Sequence, residues 1–114
     1  MSKMTVHVGG ARDMGRRFAE AFERANSGED FEERHVTFLS LEEMMSALTP
    51  KRLEVLRYLH RENISSIKAL AFMLGRDYKR VYEDVATLES AGLIVREGNR
   101  LRAPWNALAA EVAL

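Results

Sequence analysis

Cysteine is absent from this 114-residue chain. That removes disulfides, zinc fingers and thiol nucleophiles together. No apolar run is long enough to span a bilayer. The first apolar stretch, Met4 to Val8, is too short for a signal peptide and gives way to Gly9-Gly10. A cytoplasmic protein without a membrane partner is therefore expected. The chain has no internal repeat and no low-complexity tract, and its length is that of one compact domain. It also carries no net charge, with 17 basic and 17 acidic residues.

Catalytic and cofactor constellations are missing as well. His7, His35 and His60 are scattered, none at i, i+4 from another, and no cysteine can complete a metal site. Surface or half-buried structural histidines are the expectation. Glu32-Glu33 and Glu42-Glu43 are adjacent pairs whose side chains diverge, which does not suit paired-carboxylate catalysis. Ser65 and Ser66 lack a nucleophile elbow, so capping is their simpler role. Gly10 and Gly15 have the spacing of a phosphate loop, but Arg16 and Arg17 stand where lysine and Ser/Thr are needed. A turn into a helix, with Arg12, Arg16 and Arg17 on a solvated face, is expected instead. Neither enzyme activity nor a cofactor follows from the sequence.

What is present is a dense set of helix and turn signals after residue 48. Thr49-Pro50 reads as an N-cap followed by proline at the first helical position. Leu53, Val55, Leu56, Tyr58 and Leu59 then pack that helix. Ile67, Leu70, Ala71 and Leu74 form the next apolar stripe at i, i+3, i+4 and i+7. Ser65 or Ser66 caps it, and Gly75 ends it in a left-handed conformation that costs glycine little. Asp77 caps a second helix, whose buried stripe is Val81, Val85 and Leu88, with Tyr78 or Tyr82 flanking. Gly92 stops it. Packing the stripes together leaves Arg76, Lys79, Arg80 and Glu83 facing outward. Leu93, Ile94 and Val95 are β-prone, Glu97-Gly98-Asn99 is a hairpin loop, and Leu101 resumes the strand. Arg96, Arg100 and Arg102 flank the loop. Trp105 after Pro104 is a packing anchor, or alternatively an anchor at a dimer interface.

Two helices joined by a glycine turn and followed by a basic hairpin form a helix-turn-helix with a wing. Residues 48–94 resemble prokaryotic winged helix-turn-helix transcriptional regulators, in a group of small regulators that includes antitoxins of toxin–antitoxin pairs. The resemblance rests on Thr49-Pro50, Arg52, Leu56, Leu70-Ala71, Gly75-Arg76-Asp77-Tyr78, Val81, Asp84-Val85, Leu88 and Ala91-Gly92-Leu93-Ile94. It implies double-stranded DNA binding through a recognition helix over about residues 77–91.

Residue roles follow from that expectation. Arg76, Lys79 and Arg80 sit in the first turn, the part that reaches base edges. Tyr78, Tyr82 and Glu83 lie beside them or one turn later. Ser66 and Lys68 are placed for phosphate. Arg96, Asn99, Arg100 and Arg102 make a wing over about 94–102 that contacts phosphate or the minor groove. Replacing Arg76 and Arg80 with alanine is expected to abolish DNA retention without unfolding. The basic excess is small: residues 49–114 hold 11 basic against 8 acidic residues, while residues 1–48 hold 6 against 9. Binding as a homodimer would double the phosphate contacts.

The first 48 residues read as an α/β extension. Strands are expected at Thr5–Val8 and His35–Leu39, with an amphipathic helix over 13–26 between them. A capping box at Ser40 and Glu43 opens a further helix, with Leu41, Met44, Met45 and Leu48 as its apolar face. Leu108, Ala110, Val112 and Leu114 alternate in the tail, which favours a strand with one buried face over a helix. Such a strand pairs within the chain or across a dimer. The expected fold is α+β, with residues 1–48 as the extension for dimer or partner contacts and 49–114 as the winged helix with its C-terminal strand. The alternative is an antitoxin-like module that grips a toxin protein and autoregulates its operon.

Overall fold

The computed structural model describes residues 2–9 and 32–113. The helix expected over 13–26, the Gly10/Gly15 loop, Arg12, Arg16 and Arg17 lie outside the described residues. The fold is mixed α+β, with four helices and two sheets among the described residues. Two compact units divide it, residues 45–105 forming one and residues 1–44 with 106–114 the other.

The discontinuous unit is built on a three-stranded parallel sheet. Strand β1 (Ser2–Val8) lies between β2 (Glu32–Phe38) and β5 (Ala107–Val112). Val6 is paired with Val36 on one side and Ala110 on the other. A central parallel strand is covered on both faces, which suits a run with little polar alternation. Met4, Val6 and Val8 are buried, and so are Thr5 and His7 between them. The tail is thus a strand, paired within the chain. It belongs with the N-terminal sheet and not with the helices that precede it in sequence. Its alternation does not mark a buried face: Ala110 and Val112 are exposed and Leu108 is half-buried.

Helix α1 (Leu41–Ala47) carries the boundary between the units. Ser40 Oγ accepts from the Glu43 N–H, and the Glu43 carboxylate accepts from the Leu39 N–H, one residue earlier than a standard capping box. The expected apolar face is mostly exposed: Leu41 and Met45 face solvent, Met44 and Leu48 are half-buried, and Ala47 is buried. A helix of two turns has room to bury only one end of its stripe.

The continuous unit holds α2 (Pro50–Arg61), α3 (Ile67–Leu74), α4 (Tyr78–Ser90) and the hairpin β3 (Val95–Glu97) and β4 (Arg100–Arg102). Its caps are those the sequence signals. Thr49, Ser66 and Asp77 accept from the N–H of Arg52, Ala69 and Arg80. At the end of α3, Gly75 has φ 63°, while Gly75 and Arg76 donate to the Phe72 and Ala71 carbonyls. That is the Schellman ending, which frees α4 to leave in a new direction. Gly92 (φ 86°) repeats it after α4, with Leu93 donating to Leu88. Between the helices lie Val55, Leu56, Leu59, Leu70, Ala71, Val81, Val85 and Leu88. Leu93, Ile94 and Leu101 extend this core under the hairpin. Leu101 donates to the carbonyl of Ile64, a few residues before α3, so the hairpin is tied to the start of the two-helix segment.

Candidate nucleic-acid interface

The turn between α3 and α4 sets the site. α3 packs on α4 and α4 on α2, which turns Val81, Val85 and Leu88 inward and leaves the opposite side of α4 in water. Lys79, Arg80, Tyr82 and Glu83 are exposed there, with Tyr78 at the first position of the helix. Lys79 and Arg80 have no ion-pair partner among the described residues. Tyr78 and Tyr82 are each 51% exposed, with ring centroids 6.1 Å apart. The sequence places one of these rings beside the buried stripe; one turn apart, they meet each other in solvent instead. Two cations beside two phenols can donate hydrogen bonds to phosphate or to base edges.

Arg76 is not part of that face. Contrary to the outward expectation, its side chain is only 16% exposed and donates from Nη2 to Asp84 Oδ2 at 2.8 Å. Arg52 Nε donates to the other carboxylate oxygen at 3.0 Å. Arg52 Nη1 also donates to the Ser46 and Ala47 carbonyls at the end of α1. Asp84 falls between Val81 and Val85 on the buried side of α4, where a carboxylate must be paired to be tolerated. One acid thus holds two arginines, one in the first turn of α2 and the other just before α4. This triad has a sequence signal: Asp84 interrupts an apolar stripe. Its partners cannot be chosen among many arginines without the fold.

The wing residues divide in the same way. Arg96 donates to Glu89 at 2.6 Å and Arg102 to Glu97 at 3.0 Å. Both are therefore partly neutralised within the chain. The strands pair Glu97 with Arg100 across a two-residue Gly98-Asn99 loop, with Gly98 at φ 63°. Primed two-residue turns ask for such a φ. Asn99 and Arg100 stand exposed at the tip, and Arg100 has no ion-pair partner among the described residues. Ser66 is exposed with its oxygen engaged as the α3 cap, and Lys68 is exposed in the first turn of α3. Trp105 is a packing anchor inside its own unit: its indole N–H donates to the Leu93 carbonyl at 2.9 Å.

The family model HVO_A0114 matches residues 47–110, more than half of the chain. The chain belongs to the HVO_A0114 family. Its matched region takes in the whole helical core, the hairpin and the first part of β5. No curated protein and no solved structure matches the chain.

His35 and His60 are surface residues as expected, whereas His7 is buried. His7 and His35 are on neighbouring strands, their rings stacked with centroids 4.9 Å apart, and His7 Nε2 lies 2.6 Å from His35 Nδ1. Glu111 on β5 is 3.8 Å from the other nitrogen of His7. The parallel register brings these three together. Among the described residues no group of three His, Asp or Glu is arranged to hold a metal ion. His60 is separate, its Nδ1–H donating to the Ala103 carbonyl. No helix among the described residues is long and apolar enough to cross a membrane.

Proposed function

We propose that this HVO_A0114-family protein is a sequence-specific DNA-binding transcriptional regulator. In this reading residues 47–105 are a winged helix-turn-helix, α4 enters the major groove, the hairpin is the wing, and the working form is a cytoplasmic homodimer. The observation that carries it is the exposed first half of α4. There Lys79 and Arg80 stand beside Tyr78 and Tyr82 with no ion-pair partner among the described residues. Arg96 and Arg102 are engaged by Glu89 and Glu97 instead. Two cations at the start of a helix, opposite a fully packed stripe, suit base and phosphate contact. Arg100, Asn99 and Lys68 would add phosphate contacts around them. Arg76 drops out of the contact set, and replacing it would test stability more than recognition.

Selection of bound duplexes from random oligonucleotides supplies the operator, and titration of that duplex tests the face. Lys79→Ala with Arg80→Ala should weaken binding at least about tenfold and, with two cations lost from each subunit of the dimer, flatten the salt dependence by up to about three to four units. Unchanged affinity with an intact circular dichroism spectrum sinks the assignment.

Phe72 is 83% and Met73 57% exposed at the end of α3. Neighbouring large apolar residues in water favour a partner-protein contact, such as the toxin of an antitoxin-like module. Co-purification of a partner that Phe72→Ser releases, with DNA binding unaltered, would support both functions in one chain.

A further inference from the structure

We infer that β5 is the subunit interface, pairing antiparallel with β5 of a second copy of this chain to make one continuous six-stranded sheet. The inference rests on the dimeric part of the proposed function and not on DNA contact.

Ala113 N–H donates to the Val8 carbonyl. Backbone groups alternate sides along a strand, so the N–H and C=O of Leu108, Ala110 and Val112 point away from β1. Among the described residues β1 is the one neighbour of β5, so these groups line an open edge there. Ala110 and Val112 are exposed there. Free edges are normally guarded by lysine, proline, a bulge or very short length. Residues 107–112 contain no lysine and no proline, and run six residues in regular register.

Self-complementarity selects the partner and the register. A two-fold axis through Ala110 lets the two Ala110 residues exchange both backbone hydrogen bonds. Leu108 then faces Val112 of the other copy, an apolar pair that covers a side chain now 40% exposed. Glu111, the one charge in the strand, faces Ala109 instead of another Glu111. An axis through Leu108 or Val112 gives a shorter overlap. A foreign extended peptide would use the same edge, but only a second copy supplies this matching pattern by itself.

Proline at position 110 is the informative change. It removes an N–H that faces away from β1 in the single chain, which edge strands tolerate. It removes the central donor of the dimer from both copies. Sedimentation of the full chain should show a dimer for the native sequence. Ala110→Pro should raise its dissociation constant at least about tenfold, through two lost hydrogen bonds and a bent edge. A native monomer, or an Ala110→Pro dimer of unchanged affinity, overturns the interface. If that variant does not fold, Ala110→Cys decides, since no other thiol exists in the chain. A short thiol cross-linker should convert it to a covalent dimer; monomer alone overturns the inference. Lys79→Ala with Arg80→Ala should remain dimeric, so loss of DNA binding and loss of the dimer are read separately.

Discussion

The helical unit and the sheet unit differ in how far apart their deciding contacts lie. In residues 45–105 most structure is punctuated locally: an N-cap oxygen reaches three residues on, and a glycine ends a helix within one turn. In the sheet, β1 takes its two neighbours from far along the chain, one of them at its C-terminal end. Local signals are written in consecutive residues and survive without a partner. Strand order is decided by which apolar runs meet, and the same run would pair as well with several others. The comparison also teaches where the helical unit stops being local. Asp84, Arg52 and Arg76 join residues up to 32 positions apart.

The largest expected effect breaks that long-range triad. Asp84→Ala leaves two mostly buried guanidiniums unpaired and should cost about 3 kcal/mol or more in urea unfolding. Arg76→Ala alone should cost less, and the double variant should cost less than the sum of the two. Additive losses would mean the triad is not a unit. Next comes the centre of the sheet. Val6 is 1% exposed, and Val6→Ala removes two methyl groups' worth of packing, for about 2 kcal/mol. A loss below a few tenths, read by the same unfolding titration, would mean that the face of β1 carrying Met4, Val6 and Val8 is not packed. The smallest is local. At Gly75 a methyl group meets nothing within 4 Å, so Gly75→Ala should cost only the left-handed backbone term, about 1 kcal/mol. Gly75→Asn should recover part of it, since asparagine tolerates that conformation. Equal losses in both would point to a steric cause instead.

Much of the helical unit is legible in the order of its residues. Thr49, Ser66, Asp77, Gly75 and Gly92 each act within a few residues, so side-chain chemistry and spacing suffice. The candidate site is only half legible. Lys79 and Arg80 are exposed as expected, since helical period puts Lys79 opposite Val81, Val85 and Leu88 and Arg80 off to one side of them. Arg76 lies just before the helix, where period gives no direction, and the carboxylate of Asp84 draws it inward. Arg96 and Arg102 look like free cations in the sequence, because nothing there says which acid a surface arginine meets.

In residues 49–102, then, the sequence by itself determined where helices begin and end, which stripes are buried and where the hairpin turns. Those are decided by one to four residues acting on their own backbone. Only the tertiary structure decided that the tail joins the first strand, that His7 meets His35, and which arginines are held by acids. Each of those depends on the register and orientation of segments far apart in the chain, and periodicity carries no record of them.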